Sequence, residues 1–128
     1  MSERLFHFLD GPALERIQND PERPYAPASL DSEGFVHLSF AAELEGTLAA
    51  HFREVERVVL AEIDPAVDAL VVEPSRDGLL FPHVYAPIPA KRFLRFWWLD
   101  REEATWTLPA FGDIAERDHP SGIDFDLP

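Results

Sequence analysis

The chain has 128 residues, a formal net charge of −13 at pH 7 and no cysteine. This length fits one domain with a substantial core, and the lack of thiols excludes disulfides and cysteine-based metal sites. Lys91-Arg92 is the densest basic cluster, so the chain lacks the positive surface that usually neutralises nucleic-acid phosphates. No apolar stretch approaches the ~20 residues of a membrane span. We therefore expect a cytoplasmic protein that binds neither nucleic acids nor membranes.

The first elements are a predicted strand, a short helix and a loop. Residues 5–9 are an aromatic-rich strand that carries His7. Asp10 before Gly-Pro is typical of a helix start, and the apolar spacing predicts a helix over roughly residues 12–19. A proline-rich loop around Tyr25 follows this helix.

Residues 29–39 predict a loop with a turn at Glu33-Gly34, followed by a short strand. Successive side chains of a strand point to opposite faces, so Phe35, His37 and Ser39 share one face. The other face is apolar and belongs in a core. An imidazole beside a hydroxyl can bind a ligand or transfer protons, and the same pair also occurs as ordinary packing.

The middle of the chain predicts a helix and two strands. Apolar residues at four-residue intervals predict a helix over roughly residues 41–53. The nearly continuous apolar run at residues 58–63 indicates a central strand that is covered on both faces. A shorter strand follows at residues 70–73 and ends at Glu73, whose carboxylate faces either a cleft or solvent.

Residues 80–85 repeat the pattern of the earlier histidine strand. In an extended conformation Phe81, His83 and Tyr85 share one face. Pro82 lies inside this segment, and a proline there indicates an edge strand, a bulge or the start of a strand.

The last predicted elements are a hairpin and an acidic tail. Residues 93–99 and 104–108 predict a hairpin around residues 100–103, in which the aromatic side chains pack in the core and across the strands. We predict a folded domain over residues 1–111 and a poorly ordered acidic tail over residues 112–128. The whole pattern predicts an α+β fold of about six short strands with two helices near the N-terminus.

Three histidines are candidates for chemistry, since His7, His37 and His83 each lie on a predicted strand among aromatic residues. Three histidines can hold a zinc ion with an open position, but these are scattered along the chain, so a metal-dependent hydrolase is a weaker alternative. The sequence contains no Gly-x-Ser-x-Gly elbow and no phosphate-binding loop.

Two blocks of the sequence together resemble a bacterial family called domain of unknown function 952, and the resemblance extends over roughly residues 4–97. The blocks are Glu33-Gly34-Phe35-Val36-His37-Leu38-Ser39 and Phe81-Pro82-His83-Val84-Tyr85. A more distant resemblance is to the C-terminal half of RNA 2′-phosphotransferases. It is carried by Leu5-Phe6-His7, by Val36-His37-Leu38-Ser39 and by the segment at residues 58–64.

The distant resemblance implies an ADP-ribosyltransferase-type fold, a split β-sheet with a cleft that binds NAD. It implies that His7 contacts the adenosine ribose and that His37 and Ser39 belong to the same site. The phosphotransferase motif His-Gly-Thr is replaced here by His7-Phe8-Leu9, and we expect no counterpart of the basic domain that grips RNA. We therefore do not expect removal of RNA 2′-phosphates.

The combined prediction is a cleft for a small nucleotide-type ligand, with NAD as a possible substrate rather than a resident cofactor. We assign no metal to it. A non-catalytic module that binds a small ligand or a protein is the main alternative. The candidate catalytic residues are His37, Glu73 and His83, and the candidate substrate-binding residues are His7, Ser29, Phe35, Ser39 and Tyr85.

Overall fold

Two antiparallel β-sheets form the framework of the computed structural model, which describes residues 4–103 and 105–109. The strands of this part of the chain are β1 (Leu5–Leu9), β2 (Val36–His37), β3 (Ser39–Phe40), β4 (Arg57–Ile63), β5 (Leu70–Pro74), β6 (Leu80–Val84), β7 (Phe93–Glu102) and β8 (Thr105–Trp106). The α-helices are α1 (Gly11–Asn19), α2 (Ala28–Ser32) and α3 (Leu44–His51), and single 3-10 turns lie at Ala41–Glu43 and Ala90–Arg92. The predicted α+β class is confirmed, with more strands and one more short helix than expected.

The larger sheet has the strand order β3-β1-β4-β7-β8, so β4 lies at its centre as predicted. Every residue of 58–63 is buried. Val59, Ala61 and Ile63 pack in a core on one face, and Val58 and Leu60 pack in a second core on the other. The apolar run is therefore continuous because each face of the strand is covered.

The two predicted helices are confirmed, and each packs an apolar stripe on the larger sheet. The backbone N–H of Ala13 donates to the Asp10 carboxylate at 2.9 Å, which caps α1, and Leu14 and Ile17 bury the inner side of this helix. Helix α3 buries Leu44 and Leu48 against the opposite face. No helix in the described ranges has the length and apolar character needed to cross a bilayer.

The smaller sheet has the order β2-β6-β5, and its formation corrects the predicted strand at residues 35–40. That segment divides at Leu38, so His37 lies in the smaller sheet while Ser39 pairs with β1 in the larger one. Residues 28–32 form helix α2 where a loop was expected. Gly34 then reverses the chain at a φ of 90°, a conformation that glycine adopts without steric cost.

Pro82 lies in the central strand of the smaller sheet, so the expectation of an edge, a bulge or a strand start is wrong. The N–H of Leu38 donates to the Pro82 carbonyl at 3.0 Å. Proline has no N–H to return that bond, and the pairing of β2 with β6 ends at His37, one residue earlier. The central position is tolerated because the neighbouring strand leaves the sheet there.

The predicted hairpin is present, but its turn is shifted. Strand β7 continues to Glu102 and pairs with β8 through Arg101↔Trp106 and Glu102↔Thr105. Glu103, at a φ of 59°, begins the reversal. The expected acidic tail at 112–128 and its boundary with the domain lie outside the described residues and stay predictions.

Candidate ligand-binding site

The two histidine strands lie side by side in the smaller sheet. In the antiparallel register of β2 and β6, His37 is opposite His83. Side chains directly opposite each other project from the same face, and the two imidazole centroids are 5.4 Å apart. The repeated Phe-x-His pattern therefore forms one continuous surface.

Phe35 links the aromatic side chains of this surface. Its ring stacks on His83 with centroids 4.0 Å apart and an angle of 21° between the planes. It also contacts His37 at 4.7 Å and Tyr85 at 5.2 Å between centroids. Phe35 therefore restricts the orientation of both imidazoles.

Glu73 fixes the orientation of His83 through a shared oxygen. Its Oε1 accepts a hydrogen bond from His83 Nδ1 at 2.7 Å and another from the Tyr85 hydroxyl at 2.5 Å. The Tyr85 bond, and then the His83 bond, lower the pKa of Glu73, whereas the carboxylate raises the pKa of Tyr85. An ionised carboxylate only accepts, so Nδ1 carries a proton, and in the neutral form of the ring Nε2 is the acceptor.

His7 connects the two sheets and has both ring nitrogens in use. Its Nδ1 donates to the backbone carbonyl of His37 at 2.6 Å, and its Nε2 accepts from the Tyr25 hydroxyl at 2.7 Å. Burial lowers the pKa of His7 to about 4 and raises the pKa of Tyr25, which keeps the hydroxyl as a donor. A carbonyl accepts only, so the neutral Nδ1–H form of His7 satisfies both bonds.

A cavity of about 620 Å³ lies between the smaller sheet and α3, and we call it the histidine cavity. Aromatic and aliphatic side chains supply much of its surface, with Phe8, Leu38, Phe52 and Phe81 among them. Its polar lining includes His7, Glu33, His37, Ser39, Thr47, His51, Ser75 and His83. The volume is in the range of small-molecule sites, and apolar walls with a few polar groups are typical of such sites.

The predicted site residues divide into two groups. His7, His37, Ser39 and His83 border the histidine cavity. The other candidates do not line it. Glu73 and Tyr85 bond with each other beside His83, Phe35 stacks on the imidazoles, and the Ser29 hydroxyl donates to the Phe35 carbonyl at 2.9 Å, which closes the turn between α2 and β2.

Two cavity residues on α3 were absent from the predicted site. Thr47 and His51 are four residues apart and therefore share one face of the helix. Thr47 bonds with Ser39 through their hydroxyls, which are 3.3 Å apart. A threonine and a histidine one turn apart gave a weak signal, because exposed helix faces commonly carry such pairs.

The ionisable side chains near the cavity are not arranged as a metal centre. Within residues 4–103 and 105–109, no group of three or more histidine or acidic side chains is positioned to hold a metal ion. Glu33 instead pairs with His37 at 3.2 Å, and both side chains are about half exposed. The zinc alternative therefore has no ligand set in this part of the chain.

Comparisons with known proteins identify a family of unknown function and related solved structures. Residues 12–95 match the family described as "Protein of unknown function (DUF952)". The crystal structure of protein CC0527 from Caulobacter crescentus matches with a TM-score of 0.70 and 26% sequence identity, and covers 87% of this chain and 96% of that chain. The solution NMR structure of CC0527 gives a TM-score of 0.69 and 27% identity, with 87% and 95% covered. No curated protein matches the chain.

Proposed function

The chain belongs to the DUF952 family of proteins of unknown function, and we propose that it binds a nucleoside-type small molecule in the histidine cavity. One observation carries the proposal. His37, Ser39 and His83 lie on strands of two different sheets and still border the same cavity. NAD or a related phosphorylated nucleoside is the proposed ligand.

The chemistry of the cavity suits a ligand that has both an aromatic ring and hydroxyl groups. Phe8, Phe52 and Phe81 offer rings against which a base can pack. Neutral His83 offers Nε2 as an acceptor for a ribose hydroxyl, because Glu73 holds the proton on Nδ1. The stacked Phe35 holds that acceptor in place before any ligand binds, which reduces the entropic cost of binding.

The fold supports an ADP-ribosyltransferase-like assignment as part of the same proposal. Two antiparallel sheets adjoin at the β2–β3 crossover, as expected for a split sheet. His7 lies on β1 at the edge of the cavity, where the resemblance places a contact to ribose. Since its two nitrogens already have partners, we propose that His7 positions the backbone of His37 and contacts the ligand only through the edge of its ring.

Catalysis would extend this proposal to glycosidic cleavage of NAD. The bond between the ribose and nicotinamide breaks, nicotinamide leaves with the electron pair, and a water oxygen bonds to the ribose carbon while giving a proton to His83 Nε2. Glu73 acts here as a positioning residue that stabilises the protonated imidazole of His83. This role replaces direct contact of Glu73 with the sugar, since Glu73 does not line the cavity.

Calorimetry with NAD and ADP-ribose tests the binding proposal. We expect wild-type protein to bind at least one of the two, and His37→Ala and His83→Ala to weaken binding about tenfold or more, as loss of a well-placed hydrogen bond does. Lys91→Ala, an exposed change that is not part of the cavity lining, is the control and should bind as wild type does. No binding by wild type at millimolar ligand refutes the proposal.

Nicotinamide release separates an enzyme from a binding module. Turnover by wild type that is lost in His83→Ala and reduced in Glu73→Gln, with ligand affinity retained in Glu73→Gln, supports catalysis. Full ligand affinity in Glu73→Gln with no turnover in either protein supports the non-catalytic alternative. The hydrogen bonds that converge on Glu73 favour the enzyme over the binding module. They fix the orientation of the His83 imidazole, and proton transfer requires a fixed acceptor whereas packing does not.

A further inference from the structure

A second cavity has a positively charged lining, although the chain as a whole is strongly acidic. It measures about 630 Å³, lies between α1, the loop around Tyr25 and the start of β4, and is called the arginine cavity below. Its lining contains Arg16, Arg23 and Arg57, with Asp10 as the acidic member among the described residues. A net lining charge of +2 therefore occurs locally (three arginines and one aspartate) in a chain of net charge −13.

The three arginines come from separate elements and are held differently. Arg57 pairs with Asp100 at 2.9 Å, and its guanidinium carbon lies 4.5 Å from the centroid of the Trp98 ring. Arg16 lies in the last turn of α1, and Arg23 lies in the following loop. Within residues 4–103 and 105–109, neither Arg16 nor Arg23 forms an ion pair with a carboxylate. Their guanidinium groups are therefore available to an anion.

The arginine cavity adjoins the histidine cavity. Phe8 and Phe52, whose rings are 5.2 Å apart, line both cavities. The hydrogen bond between His7 and Tyr25 also joins the two linings, since His7 borders the histidine cavity and Tyr25 borders the arginine cavity. The two cavities therefore meet at this aromatic pair.

The two cavities differ in the charges that they offer to a ligand. The described lining of the histidine cavity contains no lysine or arginine, and its acidic side chain is Glu33. Phosphate groups in that cavity would meet no fixed cation. Guanidinium groups, in contrast, bind phosphate oxygens with two parallel hydrogen bonds.

We propose that the arginine cavity is a phosphate subsite, in which Arg16 and Arg23 bind the phosphate groups of a ligand whose nucleoside part occupies the histidine cavity. This inference rests on the proposed function and specifies its ligand class as an organic phosphate. The subsite also offsets the repulsion that a chain of net charge −13 exerts on any anionic ligand. Arg57 is held by Asp100, which offsets its charge, and by Trp98, so it is not one of the proposed phosphate ligands.

Titration of wild type, Arg16→Ala, Arg23→Ala and the double variant with three probes tests the proposal. The probes are ADP-ribose, adenosine without phosphate, and inorganic pyrophosphate. We expect the double variant to bind ADP-ribose at least about tenfold more weakly, to bind adenosine as wild type does, and to lose pyrophosphate binding. Affinity of wild type for ADP-ribose should fall as salt rises, and this dependence should be smaller in the double variant.

Arg53→Ala is the matched control, since Arg53 is an exposed arginine that lines a different cavity. It removes one positive charge, as Arg16→Ala and Arg23→Ala each do, and should leave the affinity for all three probes unchanged. Equal ADP-ribose affinity in wild type and the double variant overturns the phosphate subsite, while adenosine binding that depends on His37 leaves the proposed function standing. If neither adenosine nor ADP-ribose binds, the proposed function is refuted. Pyrophosphate binding that depends on the two arginines would still support an anion site.

Discussion

His7 allows a quantitative test of how the two sheets are joined. Its burial lowers the pKa from 6.5 to about 4, so protonation is disfavoured in the folded state and not in the unfolded chain. Above the unfolded value of 6.5 both states hold a neutral ring, and His7 makes its full contribution to stability. As pH falls from 6.5 towards 4, His7 becomes protonated in the unfolded state but stays largely neutral in the folded state. The free energy of unfolding therefore falls by about 3 kcal/mol.

Urea unfolding of wild type and His7→Gln over this pH range measures the effect. Both proteins lose stability in acid because their carboxylates titrate, so the informative quantity is the difference between their free energies of unfolding. We expect that difference to be constant above about pH 7.5 and to shift against wild type by roughly 3 kcal/mol by about pH 4. A difference that stays flat across the range refutes the neutral, buried His7.

Tyr25→Phe is the control for this experiment, because it removes the hydroxyl that donates to His7 Nε2 but leaves the buried imidazole in place. It should lower stability by about 1 to 3 kcal/mol, the cost of an unsatisfied buried acceptor. Because burial, the largest cause of the lowered pKa of His7, is retained, the variant should still lose most of the stability that wild type loses in acid.

Further predictions concern an ion cluster and two glycines, and urea unfolding checks each. Glu62 has a side chain only 7% exposed and accepts from Arg4 and Arg95, so Glu62→Gln should cost roughly 2 to 3 kcal/mol by weakening both partly buried pairs; an unchanged midpoint would contradict this. Gly34→Ala should cost about 1 kcal/mol because of its positive φ, while Gly46→Ala in α3 should stabilise by about 0.5 to 1 kcal/mol. Both sites have open space around the new Cβ, so equal effects would show that backbone conformation is not the cause.

Local sequence patterns predicted much of the fold, because in the strongly periodic elements each residue type directly reflects whether its face is buried or exposed. The run at residues 58–63 is apolar throughout since both faces are covered, and Asp10 caps α1 as its residue type suggests. The division of the strand at Leu38 could not be predicted in the same way. Both halves have the alternation of a single strand, and the assignment of Ser39 to the larger sheet depends on its distant partner, Phe6.

The part of the candidate site that follows a repeated sequence pattern could be predicted. Contacts between residues that are distant in sequence could not. His37 and His83 share a Phe-x-His pattern, and the antiparallel register brings the two together. The contacts of Glu73 with His83 and Tyr85 depend on the pairing of β5 with β6, which local sequence does not specify. Arg16 and Arg23 carried no motif, because the arginine cavity forms only when α1 and the loop pack beside β4.

An NMR titration of the 128-residue protein labelled with ¹⁵N-histidine tests the central proposal most directly. The imidazole resonances of His37 and His83 are assigned from the two alanine variants, and ADP-ribose is added to millimolar concentration. We predict saturable shifts for both residues, since both side chains border the histidine cavity, and a clear change at His83 Nε2. Resonances of His37 and His83 that do not move at any ligand concentration would contradict the proposal that this cavity binds a nucleoside-type ligand.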